Sequence, residues 1–311
     1  MKSLKDILRC VLYPFVIARR YYIFTYLAKH NPKAYAAFLF KQQFGHKLNY
    51  KNPQDLNEKA NWAKFYSDTS RWTELADKYA VRGYLQEKGL EHMLVKLYGV
   101  WDNPDDINFE QLPHRFILKT NHGSGTIIVV NNKSLLDIAT TKDTLKQWIS
   151  QPYGLSLAEP WYLSIPPKII AEELLDATKQ SAHSTSLIDY KFFCANGEPQ
   201  CCMIYSNRCN DFVNIKLYDM EWNDISQHLI ATDHYLVTNQ SYPRPHSFTD
   251  MVSAVRKLAD GIPQVWIDCY EVGGTAYFGE ITFSRSGGFI PFFSKEYLIQ
   301  LGQTVHLPTR S

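Results

Sequence analysis

The chain has 311 residues, 45% of them hydrophobic, enough for one large domain or two smaller ones with a substantial core. Its 33 Lys and Arg against 31 Asp and Glu leave a net charge of +2, so whole-chain charge gives no argument for nucleic-acid binding. The six cysteines form no C-x-x-C pair and lie mostly in apolar runs, which reads as free buried thiols in a reducing cytoplasm.

The first 41 residues are basic (Lys2, Lys5, Arg9, Arg19, Arg20, Lys29, Lys33, Lys41) and rich in Tyr, Phe, Leu and Ile. Their longest apolar stretch, 7–18, is interrupted by Arg9 and Pro14 and falls short of the roughly 20 residues a spanning helix needs. No small-residue cleavage site follows it. Two readings fit: a helical pair packed on the main domain, or an amphipathic anchor on the inner face of the cytoplasmic membrane. A cytoplasmic protein, with or without that peripheral contact, is expected. Residues 1–70 are read as a helical region, broken at Pro32 and around 49–53, with Asn57-Glu-Lys opening another helix.

A helix is expected over 72–88, with Lys78 and Arg82 four apart on one face and Gly89 just past its end. Taken alone, that pair is a solvated charged face. A short strand at 94–100 precedes a polar loop, 102–108. Two β-rich runs, 116–119 and 126–131, flank the loop Thr120-Asn-His-Gly-Ser-Gly. Lys119 ends the first run, and glycines let backbone N–H groups approach phosphate oxygens closely. A common hairpin turn explains the loop equally well. A helix at 143–150 and an apolar strand at 168–175 follow, the latter breaking into Glu172-Glu173. His122 is read as either bonding a phosphate or, in preference, capping its turn, and Trp161 and Tyr162 as either cleft-lining or packed.

Runs 190–195 and 200–206 form a hairpin around Asn196-Gly197. Within the first, Lys191 needs a partner if buried, either a phosphate or Asp189. Strands are expected at 215–219 and 227–230, and an amphipathic helix at 247–260 that Gly261 and Pro263 end. Residues 265–288 then read VWIDCYEVGGTAYFGEITFSRSGG, a hairpin with Asp268 on one run and Glu280 on the other. A carboxylate on a strand that wants burial calls for a cation, and two on facing strands suit Mg²⁺ held against phosphates. Register decides this. A two-residue Gly-Gly loop would put the acids on opposite faces, so the metal reading needs a longer loop or a bulge. Hairpins mixed with helices make the class α+β.

Taken in order, L-A-D-K-Y-A-V-R, F-I-L-K-T-N-H-G-S-G, I-I-A-E-E, D-Y-K-F-F-C-A-N-G and F-G-E-I-T-F resemble the TupA-like ATP-grasp family. That family is associated with teichuronopeptide and surface-polysaccharide biosynthesis. The resemblance covers about residues 45–300. It implies an ATP-grasp fold of two α+β lobes gripping a nucleotide, behind an N-terminal helical extension. Residues 71–302 would form it, with a smaller lobe at about 112–170 and a C-terminal lobe at about 171–302.

Residue by residue, the resemblance implies that Lys78 and Lys119 hold nucleotide phosphates and that Gly123, Ser124 and Gly125 close over them. Ala171, Glu172, Glu173, Leu174, Leu175 and Asp176 match the hinge that reads adenine and ribose. Asp268, Glu280 and Thr282 match the Mg²⁺ ligands, with threonine where asparagine is usual. Trp266 departs more seriously, because arginine is expected two residues before the acid and tryptophan offers no guanidinium fork. Arg285, Arg208 or Lys216 would have to substitute. Lys119, Lys191, Arg208 and Arg285 are thus the candidate catalytic cations. ATP and Mg²⁺ are the implied cofactors. The implied substrates are a glycan or sugar-linked carboxylate and an amino acid or other amine, with no nucleic acid. The expected activity is a carboxylate–amine ligase acting through an acyl phosphate. The alternative is a glycosyltransferase or phosphotransferase of the same pathway, and Trp266 also keeps open a nucleotide-binding scaffold without catalysis.

Overall fold

The computed structural model describes residues 22–309. This part is α+β, with one sheet of four strands and one of six, both mainly antiparallel, and helices packed on them. A π-helical turn, Tyr22–Leu27, and a single α turn, Ala28–His30, come first. The expected break at Pro32 is real: Asn31 caps helix α1 (Pro32–Phe44) by accepting from the Ala34 N–H at 3.0 Å. Helix α2 (Leu56–Tyr66) is capped by Asp55, which accepts from the Glu58 N–H at 2.9 Å. It is buried well beyond one stripe: Trp62 and Ala63 enter the main core, and Leu56 a second one. The stretch suggested as a membrane anchor lies largely outside the described residues. Among the described residues no helix is long and apolar enough to cross a membrane.

The single helix expected over 72–88 is in fact two, α3 (Trp72–Ala76) and α4 (Val81–Glu87). Asp77 interrupts them, its Oδ1 accepting the N–H of Tyr79 at 2.7 Å and of Ala80 at 3.2 Å. Lys78 therefore sits in the break, not on one continuous face with Arg82.

The small sheet contains β1 (Leu97–Trp101), β2 (Phe116–Thr120), β3 (Ile127–Val130) and β4 (Ile169–Glu172), in the order β1-β4-β2-β3. It thus takes in a strand well ahead of residue 112. Helix α5 (Ile138–Ile149) covers it and starts ahead of the expected 143, because Asp137 accepts from the Thr140 N–H at 3.0 Å. Strand β4 ends at Glu172, short of the expected 175.

The large sheet contains β5 (Asp189–Ala195), β6 (Glu198–Ser206), β7 (Val213–Tyr218), β8 (Tyr235–Val237), β9 (Gln264–Val272) and β10 (Thr275–Thr282), in the order β10-β9-β5-β6-β7-β8. The strand expected at 227–230 is absent. A 3₁₀ turn, Ser226–His228, stands there with one bridge from Leu229 to Phe293, and the edge strand is β8, which pairs with β7 in parallel. Helix α6 (Phe248–Ala259) covers one face, packing Met251 and Val255 against Phe192, Ile204 and Ile267. Helix α7 (Lys295–Thr304) covers the other, packing Tyr297 and Leu301 with Phe193, Met203 and Trp266. On this second face Phe193 pairs with Trp266, and Trp266 with Thr282. One row further along the strands, the face turns from apolar to charged.

Candidate active site

That next row is Lys191, Asp268 and Glu280, side by side on β5, β9 and β10. The hairpin loop is only two residues, Gly273-Gly274, with φ of 61° and 78°, the left-handed pair a tight primed turn needs. Counted from that turn alone, Asp268 and Glu280 would face opposite sides. A bulge corrects the register: Phe278 pairs with Cys269, Glu280 with Asp268, and Gly279 is the extra residue. A side chain at this position would be crowded. A Cβ there would lie 3.0 Å from the Asp268 carbonyl oxygen and 3.2 Å from the Asp268 Cβ.

The row is a network of opposed charges. Lys191 Nζ donates to Asp268 Oδ2 and stands 3.7 Å from Asp189. Of the partners expected for Lys191, Asp189 is present but distant, and the main partner is Asp268, which the sequence reading did not name. Arg285 Nη1 lies 3.9 Å from Asp268 Oδ2. Lys78 Nζ is 3.4 Å from Glu280 Oε2 and donates to the Gly123 carbonyl at 2.6 Å. Burial pushes the Asp268 carboxyl up to about 6; Lys191 opposes this and the neighbouring Glu280 charge adds to it. Burial also pushes Glu280 up, but Lys78, Lys191 and Arg285 outweigh it and hold Glu280 well below the usual carboxylate range.

Asp268 Oδ1 is buried without a hydrogen-bond partner. An orphaned hard oxygen facing a second carboxylate suits a divalent cation such as Mg²⁺. Thr282 continues the same face of β10 beyond Glu280. Among the described residues no group of three or more His, Cys, Asp or Glu converges on one point. An ion here would thus draw its remaining ligands from oxygens outside the chain's acids, as phosphates provide.

A cavity of about 560 Å³ opens beside this row, between the two sheets. The small sheet contributes Lys119, Ile127 and Val129, and the large one Tyr270, Phe278 and Gly279. Lys78 and Asp189 line it and also touch the charged row, and Arg208 lines it and pairs with Asp189, so the two are continuous. Lys119 Nζ is 2.5 Å from Glu172, which also pairs with Arg82 at 3.3 Å. Leu174, Leu175 and Asp176 line the cavity where the chain leaves β4. Ile127 and Val129 are about half exposed, at 48% and 49%, and offer an apolar wall.

Several expected residues stand differently. Ala171 lies in a central strand, paired with Gly99 on one side and Leu118 on the other, so its backbone has no free edge to read a base. Glu172 is committed to Lys119 and Arg82, and the Glu173 N–H donates to the Lys96 carbonyl at 2.9 Å. Asp176 caps its own turn through Thr178. Gly123 presents its carbonyl to Lys78 and lies against Tyr153, while Gly125, at φ 76°, has open space around it. Neither these glycines nor Ser124 line the cavity.

Trp266 is core, tilted against Phe193 with ring centroids 5.3 Å apart. Of its proposed substitutes, Lys216 pairs with Asp224 at 2.6 Å, away from the row. Arg208 donates to Asp189, and Arg285 reaches Asp268; both guanidinium groups lie over the Tyr205 ring, at 5.4 and 4.7 Å. His122 is buried, with Nε2 3.4 Å from the Gln151 carbonyl. Trp161 packs edge-on against Trp72 rather than lining the cleft. Tyr205, Arg115, which also lines the cavity, and the apolar wall of β3 were missed by the sequence reading. An alternating run such as Ile127–Val130 does not say whether its outer residues meet water or a ligand.

A family model described as TupA-like ATPgrasp matches residues 58–306. No curated protein matches the chain. Solved structures similar to it include a D-alanine–D-alanine ligase from Bacillus anthracis complexed with ATP, at 11% identity and a TM-score of 0.39, covering 68% of this chain and 55% of that one. The Helicobacter pylori D-alanine–D-alanine ligase is 13% identical with a TM-score of 0.39, covering 81% and 70%. The Thermotoga maritima phosphoribosylamine–glycine ligase is 9% identical with a TM-score of 0.39, covering 68% and 48%. The chain thus spans little more than half the length of the first of these.

Proposed function

The chain belongs to the TupA-like ATP-grasp family, and from that premise we propose that it is an ATP- and Mg²⁺-dependent ligase joining a carboxylate to an amine in surface-polysaccharide biosynthesis. The observation that carries this reading is the bulge at Gly279, which brings Asp268 and Glu280 together on the face shared with Lys191, beside the cavity. The adenine ring would lie against Ile127 and Val129, with Leu174 and Leu175 where the chain leaves β4. Lys78 and Lys119 would exchange their carboxylate partners for nucleotide phosphates. Asp268, Glu280 and the Thr282 hydroxyl would hold Mg²⁺, which when bound supplies neutralisation of the transferring phosphoryl group. Arg285 takes the role that Trp266 cannot, offering a fixed guanidinium beside Asp268. Arg208 is free to meet the substrate once it leaves Asp189.

The substrate carboxylate attacks the γ-phosphorus and ADP departs with the bridging oxygen, leaving an acyl phosphate. The amine then attacks the acyl carbon, loses a proton and expels inorganic phosphate. The protein's part is to position these groups and to keep water from the intermediate. The preferred product is an amide-linked decoration of a glycan.

The test supplies purified protein with ATP, Mg²⁺, a uronic acid and a panel of amino acids. ADP release that requires both a carboxylate and an amine supports ligation. Turnover of a nucleotide-sugar without ATP would replace this reading with a glycosyltransferase.

A further inference from the structure

Helix α2 carries Asn57, Asn61 and Lys64 at positions i, i+4 and i+7, which is one face of a helix. All are buried, although three polar side chains on one buried stripe are unusual. Each bonds the backbone of one short segment. Asn57 Nδ2 donates to the Ile290 carbonyl at 3.1 Å, and its Oδ1 accepts from the Ile290 N–H at 2.9 Å. Asn61 Nδ2 donates to the Gly288 carbonyl at 2.7 Å. Lys64 Nζ donates to the Gly287 carbonyl at 2.5 Å and to the Leu157 carbonyl at 3.0 Å. On the other side of the segment, Ser284 Oγ donates to the buried Glu159 carboxylate at 2.6 Å.

The gripped segment has an unusual backbone. Ser286, Gly287 and Gly288 are consecutive left-handed residues, at φ 50°, 64° and 72°. The two glycines adopt this conformation freely, and the cost falls on Ser286, which needs its surroundings to hold it. The approach is also close: a Cβ on Gly288 would stand 2.9 Å from Asn61 Nδ2, and one on Gly287 2.6 Å from the Leu157 Cβ. Positions 284, 287, 288 and 290 are thus each held by a named side chain. Arg285, within this segment, points over Tyr205 toward Asp268.

We infer that Asn57, Asn61 and Lys64 are positioning residues that hold the left-handed 284–290 segment so that Arg285 meets the transferring phosphoryl group. The inference rests on the ligase reading above. It makes α2 part of the catalytic apparatus. A tryptophan at 266 is compatible with activity because the guanidinium arrives from a different, externally braced segment.

The experiment compares binding of Mg·ADP and Mg·ADP with aluminium fluoride, a mimic of the transferring phosphoryl, by calorimetry on full-length protein. Wild type binds the mimic at least about tenfold tighter than Mg·ADP. Arg285→Ala loses that difference. Asn61→Ala keeps its affinity for Mg·ADP but loses the same difference, and Asn61→Ala combined with Arg285→Ala loses no more than either alone. Lys64→Met takes the place of Asn61→Ala if that variant does not fold, with the same expectation. A clamp variant that retains the full preference while Arg285→Ala loses it overturns the inference and leaves the ligase reading intact. A wild type without the preference, or an Arg285→Ala variant that keeps it, overturns Arg285's place at the phosphoryl group.

Discussion

At the scale of single residues, Trp266 and Glu280 separate what is structural from what is chemical. Trp266 occupies the position where an arginine was expected, yet it is packed between aromatic rings on the apolar part of the sheet face. Restoring arginine would bury an unpaired guanidinium and remove a large ring. Trp266→Arg is expected to destabilise the fold by about 3–5 kcal/mol, read by chemical denaturation, and to raise no activity. An arginine variant as stable as wild type would mean that the position opens toward the cleft. Glu280 is different, since its charge is held by Lys78 rather than by the core. Glu280→Gln should leave the melting temperature within a few degrees of wild type and weaken Mg·ATP roughly 10- to 100-fold. Equal loss of affinity for ATP without Mg²⁺ would argue against its role as a metal ligand. The Asp and Glu of this pair were legible in the sequence, as was the problem posed by Trp266. The buried stripe of Asn57, Asn61 and Lys64 was not identified, although its i, i+4, i+7 spacing is visible beside Trp62. Polar residues at helical spacing ordinarily mark a face turned to water.

At the scale of elements, most assignments followed from periodicity and turn chemistry, and the failures share a cause. The β5/β6 hairpin was recognisable from Asn196-Gly197, and α6 from its apolar stripe. The break in 72–88 was missed because Asp77 turns the chain, bonding the N–H groups of Tyr79 and Ala80 ahead of α4, inside a sequence with helical spacing throughout. Asp77→Ala removes both of these bonds. It should cost about 0.5–2 kcal/mol and reduce ATP affinity by moving Lys78, whereas unchanged affinity would show that Lys78 is placed by Asn121 and Gly123 alone. Strand β8 was missed because it has three residues and pairs in parallel, so it carries neither length nor a hairpin signal. The bulge could be required on chemical grounds but not located, because Gly279 looks like any strand glycine. Gly279→Ala forces a methyl against Asp268. A loss of about 1–3 kcal/mol is expected, with a fall in Mg²⁺-dependent nucleotide binding that exceeds the fall in Mg²⁺-independent binding. Identical losses in both would reduce the bulge to a packing feature.

At the scale of the whole molecule, two sheets of different origin enclose one cavity, and each brings its own cations to it. Lys119 comes from the small sheet and Lys191 from the large one, with Lys78 supplied by the break between α3 and α4. Every one of these ammonium groups is engaged by a carboxylate: Glu172, Asp268 and Glu280. Such pairing keeps the charges compensated, and under the proposed function these donors would exchange their carboxylates for phosphate oxygens. The order of the motifs along the chain was enough to identify the family. How helix α2 reaches across to the segment after β10 was not, because contacts between residues more than 220 positions apart leave no mark in local sequence. The decisive observation is calorimetric titration of the wild-type chain with ATP, with and without Mg²⁺. One ATP should bind per chain, and Mg²⁺ should tighten it at least about tenfold. No ATP binding, or an affinity indifferent to Mg²⁺, would contradict the assignment of the Asp268–Glu280 face to a metal–nucleotide complex.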